Sequence, residues 1–196
     1  MSEFQAYLSL GFAHISDMQG YDHILFLVAL CAIYRSTDWK KVLVLVTAFT
    51  IGHSVTLALS AFHIILISSE VVEFLIPITI FLTAIFNTFY EEGKRHQGGR
   101  VMFYNYAMAL VFGFIHGMGF SNYFSALLGE EENIAFPLLS FNIGLEIGQL
   151  MIVGIILLFA GLFLGILNVK QRSWNLFISG MAAGIALLLM KETAFW

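Results

Sequence analysis

Long apolar stretches alternate with short polar segments along the whole chain. The apolar stretches cover about residues 20–34, 42–66, 70–90, 102–127, 137–167 and 174–190. A helix of about 20 apolar residues crosses the ~30 Å hydrocarbon core of a bilayer, whereas the shorter, moderately apolar stretch at residues 4–18 is more typical of an interfacial or re-entrant helix. The pattern predicts an all-α integral membrane protein: a compact bundle of about six transmembrane helices, preceded by that short N-terminal helix.

The composition agrees with this pattern. Hydrophobic residues make up 59% of the chain, charged residues 11%, and the mean hydropathy is +0.86, whereas about 25% of the residues of a soluble domain are charged. We expect a single transmembrane helical domain over residues 1–196, with the lipid bilayer as its surroundings. The basic residues form no groove that would bind a nucleic acid, so no such partner is expected, and a homo-oligomer remains open.

The basic residues predict an orientation. Eight of the nine fall in three polar segments: Arg35, Lys40 and Lys41; Lys94, Arg95 and Arg100; and Lys170 and Arg172. All three segments lie on one side of a six-span arrangement. By the positive-inside rule that side is cytoplasmic, which places the protein in the inner (cytoplasmic) membrane with both termini outside. The opposite side collects acidic residues, including residues 130–132, and an acidic mouth raises the local concentration of a cation.

Five titratable residues of the apolar stretches are candidates for a common site: Asp22, His23, His53, His116 and Glu146. Such groups are costly in hydrocarbon unless they face a cavity, a partner or an ion. A helical rise of ~1.5 Å per residue puts all of them in or near the outer half of the bundle. Imidazole and carboxylate ligands suit zinc, nickel, copper or iron, and the helices of a bundle can surround one such site. Histidines that pack and hydrogen-bond between helices are the alternative interpretation.

Polar residues at helical spacing support such a site. Thr50 and Ser54 share a helix face with His53, and Asn142 and Gln149 share one with Glu146. Their hydroxyl and amide groups are candidates to orient metal ligands, and interhelical hydrogen bonding is the competing role. Two further histidines are expected to be solvated: His63 at an outer loop, and His96 in a basic inner loop.

Four ordered motifs resemble those of the HupE/UreJ membrane proteins. They lie at residues 20–26 (GYDHILF), 50–57 (TIGHSVTL), 112–120 (FGFIHGMGF) and 141–149 (FNIGLEIGQ). The family is associated with nickel uptake linked to hydrogenase and urease maturation. The resemblance implies a metal-binding role for Asp22 and His23, and by motif match for His53, His116 and Glu146.

The first motif departs from the family pattern at one position. In the family, five residues separate a histidine from the Asp-His pair, whereas seven separate His14 from Asp22, and Ser16 occupies the position of the family histidine. Either a local bulge at residues 18–19 lets His14 reach the site, or one ligand is lost and Asp17 replaces it.

Three functions remain open on the sequence. The leading hypothesis is a divalent metal-cation permease, for nickel by the resemblance, with an outward-facing site of imidazoles and carboxylates. The alternative is an intramembrane metal-dependent hydrolase of the zinc type acting near the outer leaflet, in which a fixed metal activates water and Glu146 or Asp22 acts as general acid or base. The third is a structural partner whose polar residues only join helices.

Overall fold

The structure is a computed structural model that describes residues 2–62, 64, 67–90, 98–128 and 134–196. Within these ranges it is helical and contains no strand. The helices are α1 Glu3–Ser16, α2 Asp22–Cys31, α3 Trp39–Ala61, α4 Ser69–Thr88, α5 Gly98–Leu128, α6 Ala135–Ala160 and α7 Gln171–Glu192. A short 3-10 turn at Ser36–Asp38 precedes α3, and α6 continues as a π-helical segment, Gly161–Ile166. The predicted loop residues His63, Lys94, Arg95, His96 and 130–132 lie outside the described residues.

Four helical segments are long and apolar enough to cross a membrane: Ser36–Ala61, Ser69–Thr88, Ala135–Ile166 and Gln171–Glu192. Together with the hydropathy of the chain they make this an integral membrane protein. Helix α5 has 31 residues, about 46 Å of helix, and is long enough by length alone. The predicted total of about six crossings goes beyond these four segments and stays a prediction.

The apolar stretch predicted as the first span, residues 20–34, forms a shorter helix than expected. Helix α2 has only 10 residues and α1 has 14, about 15 Å and 21 Å, so neither alone crosses a ~30 Å core. Helix α1 begins with a capping box, in which the side chains of Ser2 and Gln5 each accept a hydrogen bond from the other residue's backbone N–H. Whether α1 is interfacial or re-entrant stays a prediction.

Helices α1 and α2 lie one after the other along α6. A Cβ atom on Gly148 of α6 would meet the side chain of Ile15, near the end of α1. Further along, Val28 of α2 lines a cavity with Ile156 and Phe159 of α6. Both short helices therefore run in the same direction as α6, and the irregular segment between them lies beside its middle.

Helix α1 crosses α6 closely through two glycines. A Cβ on Gly11 of α1 would overlap the backbone carbonyl of Phe141, and a Cβ on Gly144 of α6 would overlap that of Leu8. Only glycine permits this approach, because any side chain would push the two backbones apart.

Helix α5 crosses α3 in the same way. A Cβ on Gly113 of α5 would overlap the backbone carbonyl of Phe49, and a Cβ on Gly52 of α3 would overlap that of Leu110. In both crossings, the glycine of each helix follows the contacted residue of the same helix by three positions.

The two crossings correspond in sequence as well as in contacts. Residues 8–14 (LSLGFAH) match 110–116 (LVFGFIH), and residues 141–144 (FNIG) match 49–52 (FTIG). Each pair of helices is parallel, yet α3 and α6 are antiparallel to each other, since Gly161 approaches Ser36 before α3 while the ring of Phe141 approaches that of His53. The two crossings are therefore equivalent and oppositely directed, as in an inverted repeat.

Candidate metal centre

Three histidines from three helices meet inside the bundle. His14 near the end of α1, His23 at the start of α2 and His53 in the middle of α3 each offer a ring nitrogen within 4.8 Å of the others. The ring centroids of His14 and His23 are 4.7 Å apart, and those of His14 and His53 are 5.7 Å apart. Metal–imidazole bonds of about 2.0–2.1 Å place ligand nitrogens roughly 3 Å apart, so small side-chain movements would close this triad around one cation.

The buried ring nitrogens of this histidine triad are unpaired. Nε2 of His14, Nε2 of His23 and both ring nitrogens of His53 have no hydrogen-bond partner. An unsatisfied buried polar group costs about 1–3 kcal/mol, which a histidine kept only for packing would avoid by hydrogen bonding to a neighbour. The donor set therefore fits a transition-metal cation, whose bonds would use these lone pairs.

Asp22 orients His23. Its Oδ1 atom lies 3.1 Å from Nδ1 of His23 and also accepts the backbone N–H of His23 at 3.0 Å. A carboxylate only accepts, so the imidazole hydrogen sits on Nδ1 and the lone pair of Nε2 is left for a ligand. This carboxylate–histidine arrangement is the usual support of a metal-bound imidazole. Asp22 was predicted as a metal ligand, and in the structure its carboxylate holds the His23 imidazole in place.

His116 is a fourth imidazole beside the triad. Its ring centroid is 5.1 Å from that of His23, and its Nδ1 donates to the backbone carbonyl of Phe112 at 2.9 Å. Its Nε2 is buried without a partner. His116 is therefore oriented by its own helix and presents a lone pair, as His23 does.

The irregular segment between α1 and α2 brings His14 to the triad despite its longer spacing. Helix α1 ends at Ser16 and α2 begins at Asp22, and the segment between them leaves the His14 ring beside that of His23. Asp17 is exposed and accepts the backbone N–H of Gln19 at 2.8 Å. The geometry is that of the bulge alternative, with Asp17 outside the triad.

Glu146 belongs to a separate hydrogen-bond network between α3 and α6. It accepts from the hydroxyls of Thr47 at 2.8 Å and of Thr50 at 2.5 Å, and Oε1 of Gln149 lies 2.6 Å from the Thr50 hydroxyl. Thr50 has one hydroxyl hydrogen for these acceptors, so turning the amide of Gln149 would let its unpaired Nε2 donate to Thr50 instead. Thr47 was not among the predicted residues, although its spacing of three residues from Thr50 places both on one helix face.

The remaining predicted supporting residues bond to their own helices. The Ser54 hydroxyl donates to the carbonyl of Thr50 at 2.6 Å, and the Asn142 amide donates to the carbonyl of Leu138 at 2.8 Å. The tightest group of ligand atoms contains the three histidines and not Glu146. The structure thus brings His14, His23 and His53 together, with His116 adjacent, and leaves Glu146, Thr50 and Gln149 as a second polar group.

A cavity of about 160 Å³ leads to the histidines between α2, α4 and α5. Its polar lining consists of His14, Asp17, Asp22, His23, Glu73 and His116. We call it the outer cavity. Three carboxylates and three imidazoles favour a cation over an anion, and the volume holds several water molecules at about 30 Å³ each. Glu73, on α4, also lines this cavity and was not among the predicted site residues.

Comparison with known proteins adds a family to this geometry. No curated protein and no solved structure matches the chain. The family model described as "HupE / UreJ protein" matches residues 1–195. Because that match extends over essentially the whole sequence, the chain belongs to the HupE/UreJ family.

Proposed function

We propose that this protein is a divalent metal-cation permease whose cargo is nickel. The observation that carries the proposal is the triad His14, His23 and His53, which has four unpaired buried ring nitrogens and of which His14 and His23 line an acidic cavity. Imidazole nitrogen is a ligand preferred by nickel and zinc. The HupE/UreJ family, to which the chain belongs, is associated with nickel transport.

Capture proceeds from the outer cavity to the triad. The carboxylates of Asp17, Asp22 and Glu73 raise the cation concentration there. The cation exchanges bound water for imidazole nitrogen, and Asp22 keeps Nε2 of His23 free to bind. His116 lies next to the triad and supplies a further ligand as the cation moves inward.

The paired glycine crossings support transport rather than a fixed metal. In many transporters the cargo site lies near the interface of inverted repeats. Here His14 follows Gly11 by three residues and His116 follows Gly113 by three, so the two histidines occupy equivalent positions in the two crossings. Both lie at the proposed site.

A metal-dependent hydrolase is the second candidate, and one observation favours it. Phe26, Phe49 and Phe112 are packed against the histidines; the Phe26 and Phe49 rings are 5.0 Å apart, and those of Phe26 and Phe112 are 5.8 Å apart. A closed apolar floor suits a metal that stays and activates water. Elemental analysis before and after dialysis separates the two functions: a zinc ion retained at one per chain, with lipid or peptide cleavage lost in His116→Ala, supports the hydrolase.

Nickel uptake into proteoliposomes tests the permease. The wild-type protein should accumulate nickel, whereas His53→Ala, which removes two unpaired nitrogens from the triad, should lose at least about tenfold in rate. His96→Ala, in a basic polar segment of the sequence, is the matched control and should transport as the wild type does. Uptake by His53→Ala at the wild-type rate would overturn the role of the triad.

A further inference from the structure

A second polar cavity lies in the same three-helix groove as the outer cavity. Its volume is about 50 Å³, and its polar lining consists of Tyr34, Thr83, Asn87 and Asn105. We call it the inner cavity. Residues of α2, α4 and α5 line it, and the same helices line the outer cavity. The two cavities therefore follow one another along a single path through the bundle.

One to two helical turns separate the lining residues of the two cavities, and on α4 Ile76 and Thr83 are about 10 Å apart along the helix axis. On α5, Phe112 lines the inner cavity and His116 lines the outer one, a distance of about 6 Å along the helix axis. Phe26 fills the gap: it is completely buried, and its ring lies 5.2 Å from that of His116 and 5.8 Å from that of Phe112. Two aromatic side chains thus form the barrier, and rotating them is a smaller change than moving a helix.

Three polar side chains of the inner cavity each donate one hydrogen bond to a neighbour. The amide of Asn87 donates to the carbonyl of Ala29 at 2.7 Å, and the hydroxyl of Thr83 donates to the carbonyl of Thr79 at 2.8 Å. The amide of Asn105 donates to the hydroxyl oxygen of Tyr34 at 3.3 Å. Each of these side chains, and that of Tyr34, also carries an oxygen with lone pairs, and neutral oxygen ligands suit a cation.

The chemistry of the inner cavity differs from that of the histidine triad in a way that suits release. Neutral amide and hydroxyl oxygens bind a nickel-type cation more weakly than imidazoles do. A conducting path needs such sites, because the ion must leave as well as enter. The volume has room for a cation with about one retained water.

We propose that the inner cavity is a second, oxygen-lined station for the transported divalent cation, reached from the histidine triad when Phe26 and Phe112 turn aside. This inference rests on the proposed permease function. The step it describes is the movement of the captured cation from the triad to the inner cavity. Tyr34, Thr83 and Asn105 act in that movement and not in capture.

The test separates binding from passage. The double variant Tyr34→Phe/Thr83→Val removes two oxygens from the inner cavity with almost no change of shape. Its matched control is Tyr106→Phe/Thr88→Val, which makes the same changes on α5 and α4 at residues that do not line the cavity. Nickel binding is measured on purified protein by equilibrium dialysis, and nickel accumulation is measured in proteoliposomes.

We expect the double variant to bind nickel as the wild type does and to transport it about tenfold more slowly, while the control does both normally. Transport by the double variant at the wild-type rate overturns the inner station. Failure of the wild type itself to bind or carry nickel overturns the permease function instead, so the two failures are distinguishable.

A gain of binding gives an independent check that does not depend on loss of activity. Asn105→Asp places a carboxylate in the inner cavity, which should convert the weak station into a retaining one. We expect this variant to hold a second equivalent of nickel through dialysis, including when His53→Ala has weakened the triad. No added nickel in a folded Asn105→Asp protein contradicts the proposal.

Discussion

Two imidazoles of the candidate site are each held by a different neighbour, and the neighbour decides which nitrogen is available. Asp22 holds Nδ1 of His23, and the carbonyl of Phe112 holds Nδ1 of His116. Both contacts leave Nε2 free and buried. The sequence predicted these residues as a metal set because charged and titratable groups are rare in apolar helices. It did not reveal that Asp22 acts on His23, because that depends on the side-chain conformations at the start of α2.

The role of Asp22 leads to a prediction at this scale. Asp22→Asn keeps the shape of the side chain and removes the charge that fixes the His23 tautomer, so nickel affinity should fall by about 10- to 100-fold. Competition titration against a chelator of known affinity measures the change. Glu192→Gln, at the exposed end of α7, removes an acidic charge far from the site and should leave the affinity unchanged. An Asp22→Asn protein with wild-type affinity would show that His23 is oriented without it.

At the scale of elements, the decisive feature is how closely the helices approach. Glycines at residues 11 and 144, and at residues 52 and 113, let two pairs of backbones touch. Close approach of α1 to α6 and of α5 to α3 sets the positions from which His14, His53 and His116 project. Gly113 and Gly117 stand four residues apart, which is typical of a close helix contact, but the spacing of small residues carries no information about which helix packs there.

Adding a methyl group at one crossing tests this account. Gly11→Ala forces the new Cβ into the backbone of Phe141, and overpacking of this kind typically costs about 1–3 kcal/mol. We expect a lower midpoint of thermal unfolding in detergent, together with weaker nickel binding, because α1 carries His14. Gly154→Ala is the matched control: nothing lies within 4 Å of its Cβ, and Ala is the better helix former, so its midpoint should stay or rise. Equal stability of both variants would contradict the close crossing.

At the scale of the whole molecule, two oppositely directed crossings enclose a site that opens to one side. The outer cavity ends at the histidines, and the phenylalanines close the path beyond them. The antiparallel course of α3 and α6 agrees with the alternating course predicted from the hydropathy pattern. The orientation predicted from the basic residues, with both termini outside, stays a prediction.

Cysteine labelling tests that orientation. Cys31 is the single cysteine of the chain, and it is buried. In a Cys31→Ala background, Gln19→Cys near the outer cavity should react in intact cells with a membrane-impermeant maleimide, whereas Lys170→Cys before α7 should react only after the membrane is opened. Both positions are exposed or partly exposed in the structure, so access from the two sides is what differs. The opposite labelling pattern would reverse the topology and place the outer cavity on the cytoplasmic side.

The sequence by itself determined the helical class, the membrane setting and the identities of the residues that carry the candidate chemistry. Those properties follow from local composition and from the length of each apolar stretch. Only the tertiary structure decided that residues 20–34 yield a helix too short to span, and that His14 reaches His23 across an irregular segment. It also decided that Glu146 joins the hydroxyls of Thr47 and Thr50 instead of the histidines. These outcomes depend on which helix faces are pressed together, and that is set by contacts between residues far apart in the chain, which no local pattern records.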